Sequence, residues 1–460
     1  MTDNLLGFVL FWGVWLFVPM LIDGVTAVAY FVGAYRSRPG ARPRHEEAEL
    51  TYYPMVSIVV PVHNGEQVLA SCMEAVRNQS YPHDRIEVLV VDNVSTDRTR
   101  DVFFEEQQKP FSGVCHWISL PYKGKPGALN AGIHRTRGDV ICNIDADAVL
   151  HKDAILAVVR AFELDPRLAA ATGAIEVLPL KEGSRRPFRY IIAEAEFLEY
   201  YTGFRIGRQY QSQTNSLFTL AGAFSAFRRE VLLRTFLYDS RTVSEDTSLT
   251  FFISRAFPDL RVRCLTDAVA YVEPTEGLRR LYAQRVRWQR GQLEVASLFP
   301  EFERHPFRIK GISLPKSLIV DHTLAFPRVV WTFLLPMLYF VGYPLGLVVS
   351  ASLSMYLIYM GVDALYVGVA FLLAEGDAKA RIRRHWWMFA FTPAYRWTTF
   401  WFRFGGFLSV LMESKTWRVD DPLTETREGL NRLGTAMLTF VTRSLLPRVS
   451  ALFGGLLRPR

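Results

Sequence analysis

The segment that decides the fold is DVICNIDAD, residues 139–147. Its first part, Asp139 to Ile144, predicts a buried β-strand, and two acidic residues follow at Asp145 and Asp147. In extended backbone, residues two apart point to the same side, so both carboxylates can serve one ligand. Ligands of open α/β sheets bind at the carboxyl ends of strands, which is where this pair falls. The segment therefore predicts an α/β domain with a polar site at one edge of its sheet.

The surrounding chain alternates short apolar strands with amphipathic helices, as expected of such a domain. The predicted strands before this segment are Val56–Val62, Ile86–Val91 and Cys115–Leu120, and the predicted helices are Glu66–Asn78, one that begins near Thr96, and Gly127–Arg137. Asp92 ends the second strand, so it is expected at the same edge as Asp145 and Asp147. The alternation is typical of nucleotide-binding sheets.

Composition narrows the class of protein. The 460 residues leave room for a catalytic core and further segments. Half of the residues are hydrophobic and the mean hydropathy is +0.11, which indicates lipid contact for part of the chain. A net charge of +8 fits anionic headgroups, nucleic acid or a phosphorylated substrate. The four cysteines lack any Cys-x-x-Cys spacing, which argues against a disulfide framework or a zinc site and favours a reducing cytosol.

Leu5 to Tyr35 forms the first of three apolar runs, with Asp23 as its only charged residue. Because the run is too long for the core of a secretory signal, residues 1–35 are predicted to be an N-terminal transmembrane anchor. By the positive-inside bias, the arginines that follow place the rest of the chain in the cytoplasm: Arg36, Arg38, Arg42 and Arg44.

Two later runs, Val329–Val349 and Ser350–Leu373, predict a helical hairpin whose join lies around Ser350–Ser354. A second basic cluster follows these runs: Lys379, Arg381, Arg383 and Arg384. By the positive-inside bias, it lies on the same side of the membrane as the first cluster.

The stretch His385–Leu411 is rich in Trp and Phe but contains Arg396 and Arg403, so it is expected either to cross the bilayer or to lie along its surface. Region 323–412 is therefore predicted to hold transmembrane or interfacial helices. The tail, 413–460, is predicted to contain an amphipathic helix.

Two segments suggest binding of an anionic, nucleotide-like ligand. The carboxylates of Asp145 and Asp147 suit Mg²⁺ or Mn²⁺, which bind substrate phosphates as well, although an Asp-x-Asp is also a common solvated turn. The segment KGKPGALN, Lys123–Asn130, places cations and glycine near a helix amino terminus, where a phosphate or a uracil ring fits. An ordinary basic turn explains that segment equally well.

Two other segments suggest catalysis and sugar binding. Ser244, Glu245 and Asp246 precede a predicted helix, Thr247–Ala256, with Ser244 as its N-cap; capping alone explains the acids, while the functional alternative makes Asp246 a general base. Gln284, Arg287 and Trp288 share one face of a helix that begins near Leu278. An indole can stack on a sugar while a guanidinium binds a diphosphate, but an interfacial helix would carry the same residues.

In their order along the chain, these segments resemble the membrane-integrated, inverting family 2 glycosyltransferases, which include synthases of cellulose, chitin, hyaluronan and poly-N-acetylglucosamine. The resemblance covers about Pro54 to Gln292. It rests on Val59-Val60-Pro61, Val91-Asp92, Asp145-Ala146-Asp147, Gly222 to Glu230, Glu245-Asp246 and Gln284-Arg285-Val286-Arg287-Trp288. It implies a GT-A domain over residues 54–300, in the cytoplasm and flanked by transmembrane helices.

The resemblance also implies roles for the site residues. Asp92 would contact the base of a uridine nucleotide, Lys125 would lie close to the donor, and Asp145 and Asp147 would hold the diphosphate and its metal. Glu245 and Asp246 would be the catalytic pair, with Asp246 as the base. Gln284 and Arg287 would line the donor pyrophosphate, and Trp288 would bind the terminal sugar of the acceptor.

The chain departs from the family at two positions. The family usually has Asp-Asp-Gly-Ser after its second strand, whereas this chain has Asp92-Asn93-Val94-Ser95 and so lacks one acid and the turn glycine. It also has Ser244 where Thr usually precedes Glu-Asp, which keeps the hydroxyl.

The sequence thus predicts a multi-pass cell-membrane enzyme that transfers a sugar from a UDP-sugar donor to a growing glycan. N-acetylglucosamine or glucose is the sugar expected by family analogy. Its partners would be the glycan acceptor, the lipid bilayer and export or accessory membrane subunits, but not nucleic acid, because much of the basic charge lies beside the membrane segments. The alternatives are a non-processive transferase that adds one sugar to a lipid-linked or other single acceptor, and a transporter subunit with a regulatory nucleotide-binding domain.

Overall fold

Eight strands form one mixed sheet in the computed structural model, which describes residues 21, 24–35, 50, 52–180, 187–299, 335–340 and 342–412. The sheet order is β3-β2-β1-β4-β7-β6-β8-β5. The strands are β1 (Val56–Val62), β2 (Ile86–Asp92), β3 (Val114–Ser119), β4 (Val140–Ile144), β5 (Val149–Leu150), β6 (Leu168–Val177), β7 (Phe224–Arg228) and β8 (Arg261–Val272). The predicted α/β fold is confirmed.

Helices pack on this sheet and extend beyond it. In the described part of the chain they are α1 (Gly24–Tyr35), α2 (Leu69–Arg77), α3 (Thr99–Gln107), α4 (Lys125–Ile133), α5 (Ala154–Leu164), α6 (Pro187–Glu199), α7 (Arg208–Gln213), α8 (Arg229–Leu232), α9 (Glu245–Ala256), α10 (Leu278–Leu298), α11 (Leu345–Leu373), α12 (Gly376–Arg384) and α13 (Thr392–Met412). A π-helical segment, Tyr200–Gly207, joins α6 to α7.

The parallel half of the sheet creates the edge at which ligands are expected. Strands β3, β2, β1 and β4 are parallel, and β1 pairs with both β2 and β4. All seven residues of β1 are buried, as expected of a strand covered on both faces. The chain continues in opposite directions from β1, toward β2 and toward β4, so a crevice opens at the carboxyl ends of these strands.

Buried ion pairs join the C-terminal helices to α6 and to one another. Arg381 on α12 donates two hydrogen bonds of 2.9 Å to the Glu194 carboxylate on α6, and its guanidinium lies 3.9 Å from the centre of the Phe197 ring. Arg396 on α13 lies 2.8 Å from Asp363 on α11. Asp363 therefore pairs α11 with α13.

The predicted hairpin join at Ser350–Ser354 is wrong. Those residues lie inside α11, which runs unbroken from Leu345 to Leu373. The turn comes earlier, where Gly342 adopts a φ of +102° and Pro344 precedes the first residue of α11. Hydropathy alone could not place this turn, because the runs on both sides of it are apolar.

One described helix, α11, is long and apolar enough to cross a membrane, and α1 is apolar but shorter. The predicted set of several spans is therefore not reproduced among the described residues. Most of the predicted anchor, the basic cluster at residues 36–44, the start of the run at Val329 and the tail at 413–460 lie outside those residues.

The aromatic stretch His385–Leu411 divides into a 3₁₀ turn, Trp386–Ala390, and α13. Helix α13 packs closely on α10, where a Cβ at Gly406 would lie 2.8 Å from the Val286 carbonyl oxygen. Other side chains of the stretch point outward, including Trp386 at 60% and Trp397 at 53% exposure. Both alternatives for this stretch, crossing the bilayer or lying along its surface, therefore stay predictions.

The backbone is strained at Val94, the turn position at which the family pattern has glycine. It adopts a φ of 60°, a left-handed conformation that is a true outlier for a β-branched residue. The turn is nevertheless held, because Asp92 Oδ1 accepts a hydrogen bond of 2.9 Å from the Ser95 N–H.

We expect Val94→Gly to raise the free energy of unfolding above that of Val94→Ala by about 1 kcal/mol, because glycine adopts a positive φ without a Cβ clash. Denaturant unfolding of the two variants measures the difference, and Val94→Ala controls for the lost side chain. Equal stability of the two variants would contradict a strained Val94.

Candidate active site

The carboxyl ends of β2 and β4 bring the predicted acidic residues to one edge of the sheet. Asp92 is the last residue of β2, and Asp145 follows β4 directly. Asn93 is buried, and its side-chain oxygen accepts a 2.7 Å hydrogen bond from the Gly124 N–H. The residue that replaces an acid of the family pattern thus ties the β2 turn to the loop before α4.

The ammonium group of Lys125 lies among the acids of this edge. Its Nζ is 2.5 Å from Asp145 Oδ1 and 3.8 Å from Glu245 Oε1. A Cβ at Gly222 would lie 3.2 Å from the same Nζ and 3.7 Å from both Asp145 Oδ2 and Asp246 Oδ2. Four predicted site residues, from three separate parts of the chain, therefore surround the open space above Gly222.

Burial and neighbouring charges shift the pKa values of these groups. Burial raises the pKa of Glu245, and repulsion from Asp246 adds to this effect while Lys125 opposes it. Burial also raises the pKa of Asp246, again against the attraction of Lys125. Burial alone would lower the pKa of Lys125, but Asp145 and Glu245 raise it above its usual value, so the ammonium stays charged.

Asp147 lies at the open side of the site. Its side chain reaches solvent, yet desolvation by the surrounding protein and repulsion from Asp145 raise its pKa, while Lys125 and Arg287 lower it. Arg287 is itself exposed and close enough to act on this carboxylate. The described residues contain no group of three or more His, Cys, Asp or Glu side chains arranged to hold a metal.

Glu245 and Asp246 begin α9, two residues earlier than predicted. Ser244 occupies the predicted N-cap position of α9, but its side chain makes no capping hydrogen bond. Ser244 Oγ instead lies against α10 at Gly291, where there is no room for a Cβ. Glu245 is buried, whereas Asp246 is only half-buried and faces Gly222.

Helix α10 brings Gln284, Arg287 and Trp288 to the same region, though to different surroundings. Gln284 Nε2 lies 3.5 Å from the Tyr200 hydroxyl, at the limit of a hydrogen bond. Trp288 is half-buried, with ring centroids 5.6 Å from Phe204 and 6.2 Å from Tyr200. Both aromatic partners come from the π-helical segment, a feature that often marks functional sites.

Some residues of the site were not assigned a role from the sequence. Arg208 is buried, stacks 4.5 Å over Phe204 and lowers the pKa of Asp246, which connects the acids to the Trp288 surroundings. Asn130 holds the Tyr238 backbone with two hydrogen bonds of 2.9 Å, below the acidic pocket. Asn130 and Tyr238 lie 108 positions apart, and Arg208 and Asp246 come from different helices, so no local pattern marks these pairs.

Comparisons with known proteins bear on the family and the fold. Residues 57–236 match the family model described as "Glycosyl transferase family 2". The fold also resembles that of a mannosyltransferase from Pyrobaculum calidifontis, solved in complex with GDP-Man and Mn2+, with a TM-score of 0.51 at 20% identity over 86% of this chain and 100% of that one. The chain thus has a GT-A-like, Rossmann-type sheet, and its segment 57–236 is similar to family 2 glycosyltransferases.

Three curated relatives show what this chain is similar to. A probable glycosyltransferase of Bacillus subtilis (strain 168) is 30% identical over 54% of this chain and 57% of its own length. A poly-beta-1,6-N-acetyl-D-glucosamine synthase of Staphylococcus epidermidis is 22% identical over 64% and 66%, respectively. A beta-monoglucosyldiacylglycerol synthase of Nostoc sp. is 28% identical over 55% and 52%. The chain therefore matches about half to two thirds of each relative's length.

We expect Gly222→Ala to lower kcat/KM about tenfold or more, because a methyl group would occupy the space that Asp145 and Asp246 share. Initial-rate assays measure the loss, and thermal unfolding checks that the fold survives. Gly346→Ala is the matched control, since a Cβ there meets nothing within 4 Å. Full activity of Gly222→Ala would show that the reacting groups do not meet above this glycine.

Proposed function

We propose that the chain transfers glucose or N-acetylglucosamine from a UDP-sugar to a growing glycan, with inversion at the anomeric carbon. The observation that carries this proposal is the set of carboxylates around Lys125 and Gly222 at the carboxyl edge of the sheet. The similarity to poly-N-acetylglucosamine synthases supports a polymeric product. The transferase domain would span residues 54–300, between the anchor at 1–35 and the helices of region 323–412.

The donor would lie along the edge from Asp92 to Arg287. Asp92 would contact the uracil base, although its Oδ1 already accepts a hydrogen bond from Ser95. Lys125, Gln284 and Arg287 would line the diphosphate, where their donors meet the negative charge that develops as UDP leaves.

Asp145 and Asp147 fit a divalent cation, Mg²⁺ or Mn²⁺. The mutual repulsion that raises the pKa of Asp147 would be relieved by a cation between the two carboxylates. Two protein ligands suffice for such ions, which take their other ligands from phosphates and water. When bound, the cation would neutralise charge on the leaving diphosphate. Lys125 Nζ, at 2.5 Å, would stay beside Asp145 and offset part of the negative charge of this pair.

Asp246 would act as the general base and Glu245 as its charged neighbour. The half-buried Asp246 faces Gly222, so its carboxylate can accept the proton of an acceptor hydroxyl that attacks from that side. Its raised pKa strengthens it as a base. The buried Glu245 is held toward Lys125 and has no such access.

The acceptor's terminal sugar would stack on Trp288, because an indole offers a flat apolar surface of the right size. Its position next to Phe204 and Tyr200 leaves the ring half-exposed at the side of the pocket.

The protein would be a multi-pass membrane enzyme with its catalytic domain on the cytoplasmic side. Support comes from the length and hydropathy of α11, from the exposed tryptophans beside α13, and from the basic residues of α12. A polymer made in the cytoplasm must cross the bilayer, which would involve the spanning helices and export or accessory subunits.

A second candidate is the addition of one glucose to a lipid acceptor. The observation in its favour is the 28% identity with a beta-monoglucosyldiacylglycerol synthase. The Gln284–Trp288 segment, which is typical of processive family members, favours the first candidate.

We expect Asp246→Asn to reduce transfer at least about a hundredfold, because the amide cannot take the acceptor proton, while the Kd for UDP changes less than about threefold. Rate assays and calorimetric titration with UDP measure the two effects. Asp239→Asn alters an acid that pairs with Arg241 in the loop before α9, and it should leave both values unchanged. Full transfer by Asp246→Asn would refute its role as base.

Product length separates the two candidate functions. With radiolabelled UDP-N-acetylglucosamine or UDP-glucose and membranes that contain the enzyme, we expect a ladder or polymer on gel electrophoresis. A single labelled sugar on an extractable lipid would instead identify the second candidate.

A further inference from the structure

A buried cluster of charged and hydroxyl groups lies directly behind Trp288. Arg285 is fully buried, and its Nη2 donates hydrogen bonds to Glu199 Oε2 at 2.6 Å and to the Tyr395 hydroxyl at 3.1 Å. The Tyr395 hydroxyl in turn donates to the same Glu199 oxygen at 2.7 Å. Three helices, α6, α10 and α13, therefore meet at one carboxylate oxygen.

The rest of the Arg285 guanidinium lies on the indole of Trp288. Its central carbon is 4.3 Å from the ring centroid. Arg285 Nε and Nη1 have no hydrogen-bond partner among the described residues, so the electron-rich ring face supplies the compensation that a buried cation needs. The guanidinium thus fixes one face of Trp288, while Phe204 and Tyr200 contact the same ring.

We propose that Arg285 is a positioning residue, which Glu199 and Tyr395 hold in place so that Trp288 presents its ring to the acceptor's terminal sugar. The inference rests on the proposed function, to which the sugar-binding role of Trp288 belongs. It adds that α13, the aromatic helix next to the catalytic core, sets the acceptor geometry through the hydroxyl of Tyr395.

A second ion pair on α6 offers a control that distinguishes a positioning role from a purely stabilising one. Glu194 is as deeply buried as Arg285, and it accepts two hydrogen bonds from Arg381 on α12. That guanidinium also stacks on an aromatic ring, but the ring is Phe197 and not Trp288. Glu194→Gln is therefore a matched control for Glu199→Gln, because it weakens a similar contact on the same helix.

The first test measures the surroundings of the Trp288 ring by NMR. The full-length protein in detergent would be labelled with 5-fluorotryptophan, and the Trp288 signal in its ¹⁹F NMR spectrum assigned from its loss in Trp288→Phe. We expect Tyr395→Phe, which removes only one hydroxyl, and Glu199→Gln to shift or broaden this signal. Glu194→Gln should leave it in place. An unchanged Trp288 signal in both test variants would overturn the proposal.

The second test measures the consequence for binding. Initial rates would be measured with UDP-N-acetylglucosamine or UDP-glucose as donor and with the tetrasaccharide of the same β-linked sugar as acceptor. We expect Tyr395→Phe and Glu199→Gln to raise the acceptor KM about three- to tenfold, the usual effect of losing one hydrogen bond. The donor KM and the rate of donor hydrolysis should not change, and Glu194→Gln should show the wild-type ratio of acceptor KM to donor KM.

The outcomes distinguish this inference from the function on which it rests. If the wild-type enzyme transfers sugar but the test variants keep its acceptor KM, or lose both KM values in parallel with Glu194→Gln, the positioning role is refuted. If the wild-type enzyme transfers sugar from neither donor, the proposed function fails and the inference fails with it.

Discussion

The candidate active site depends on four carboxylates that repel one another and on one ammonium group, that of Lys125, which offsets part of this repulsion. Asp145, Glu245 and Asp246 come from two distant segments, and the fold brings them within reach of Lys125 at the carboxyl edge of the sheet. Such a group of acids is stable only with compensating positive charge, and Lys125 supplies part of it. Under the proposed function, the excess of negative charge at Asp147 would attract a divalent cation, which would in turn bind the donor diphosphate.

Much of the fold could be predicted from local patterns. Buried, β-branched runs such as Val56–Val62 identify parallel strands, and acids directly after Ile144 identify the ligand edge, because both features follow from the period of an extended backbone. The same reasoning, together with the family resemblance, selected the residues that the structure places around Gly222. Such patterns do not fix side-chain contacts: Ser244 occupies the N-cap position of α9, but its hydroxyl packs against Gly291 and makes no capping hydrogen bond.

Long-range pairing could not be predicted in this way. Arg285 and Tyr395 lie 110 positions apart, and Arg381 and Glu194 lie 187 apart, so no periodicity relates them. The turn at Gly342 was hidden for a related reason, since apolar residues continue on both sides of it. The π-helical segment that brings Phe204 beside Trp288 has no composition of its own that separates it from α6.

We infer that the nucleotide binds at the acidic edge. A groove of about 2430 Å³ between α5, β8 and α12 offers an alternative place among the described residues, and none of the predicted site residues lines it. An experimental structure of the full chain with UDP and Mn2+ distinguishes the two places. We expect the diphosphate beside Lys125 and Arg287, with the ion held by Asp145 and Asp147. Density for the nucleotide in the groove would contradict this inference.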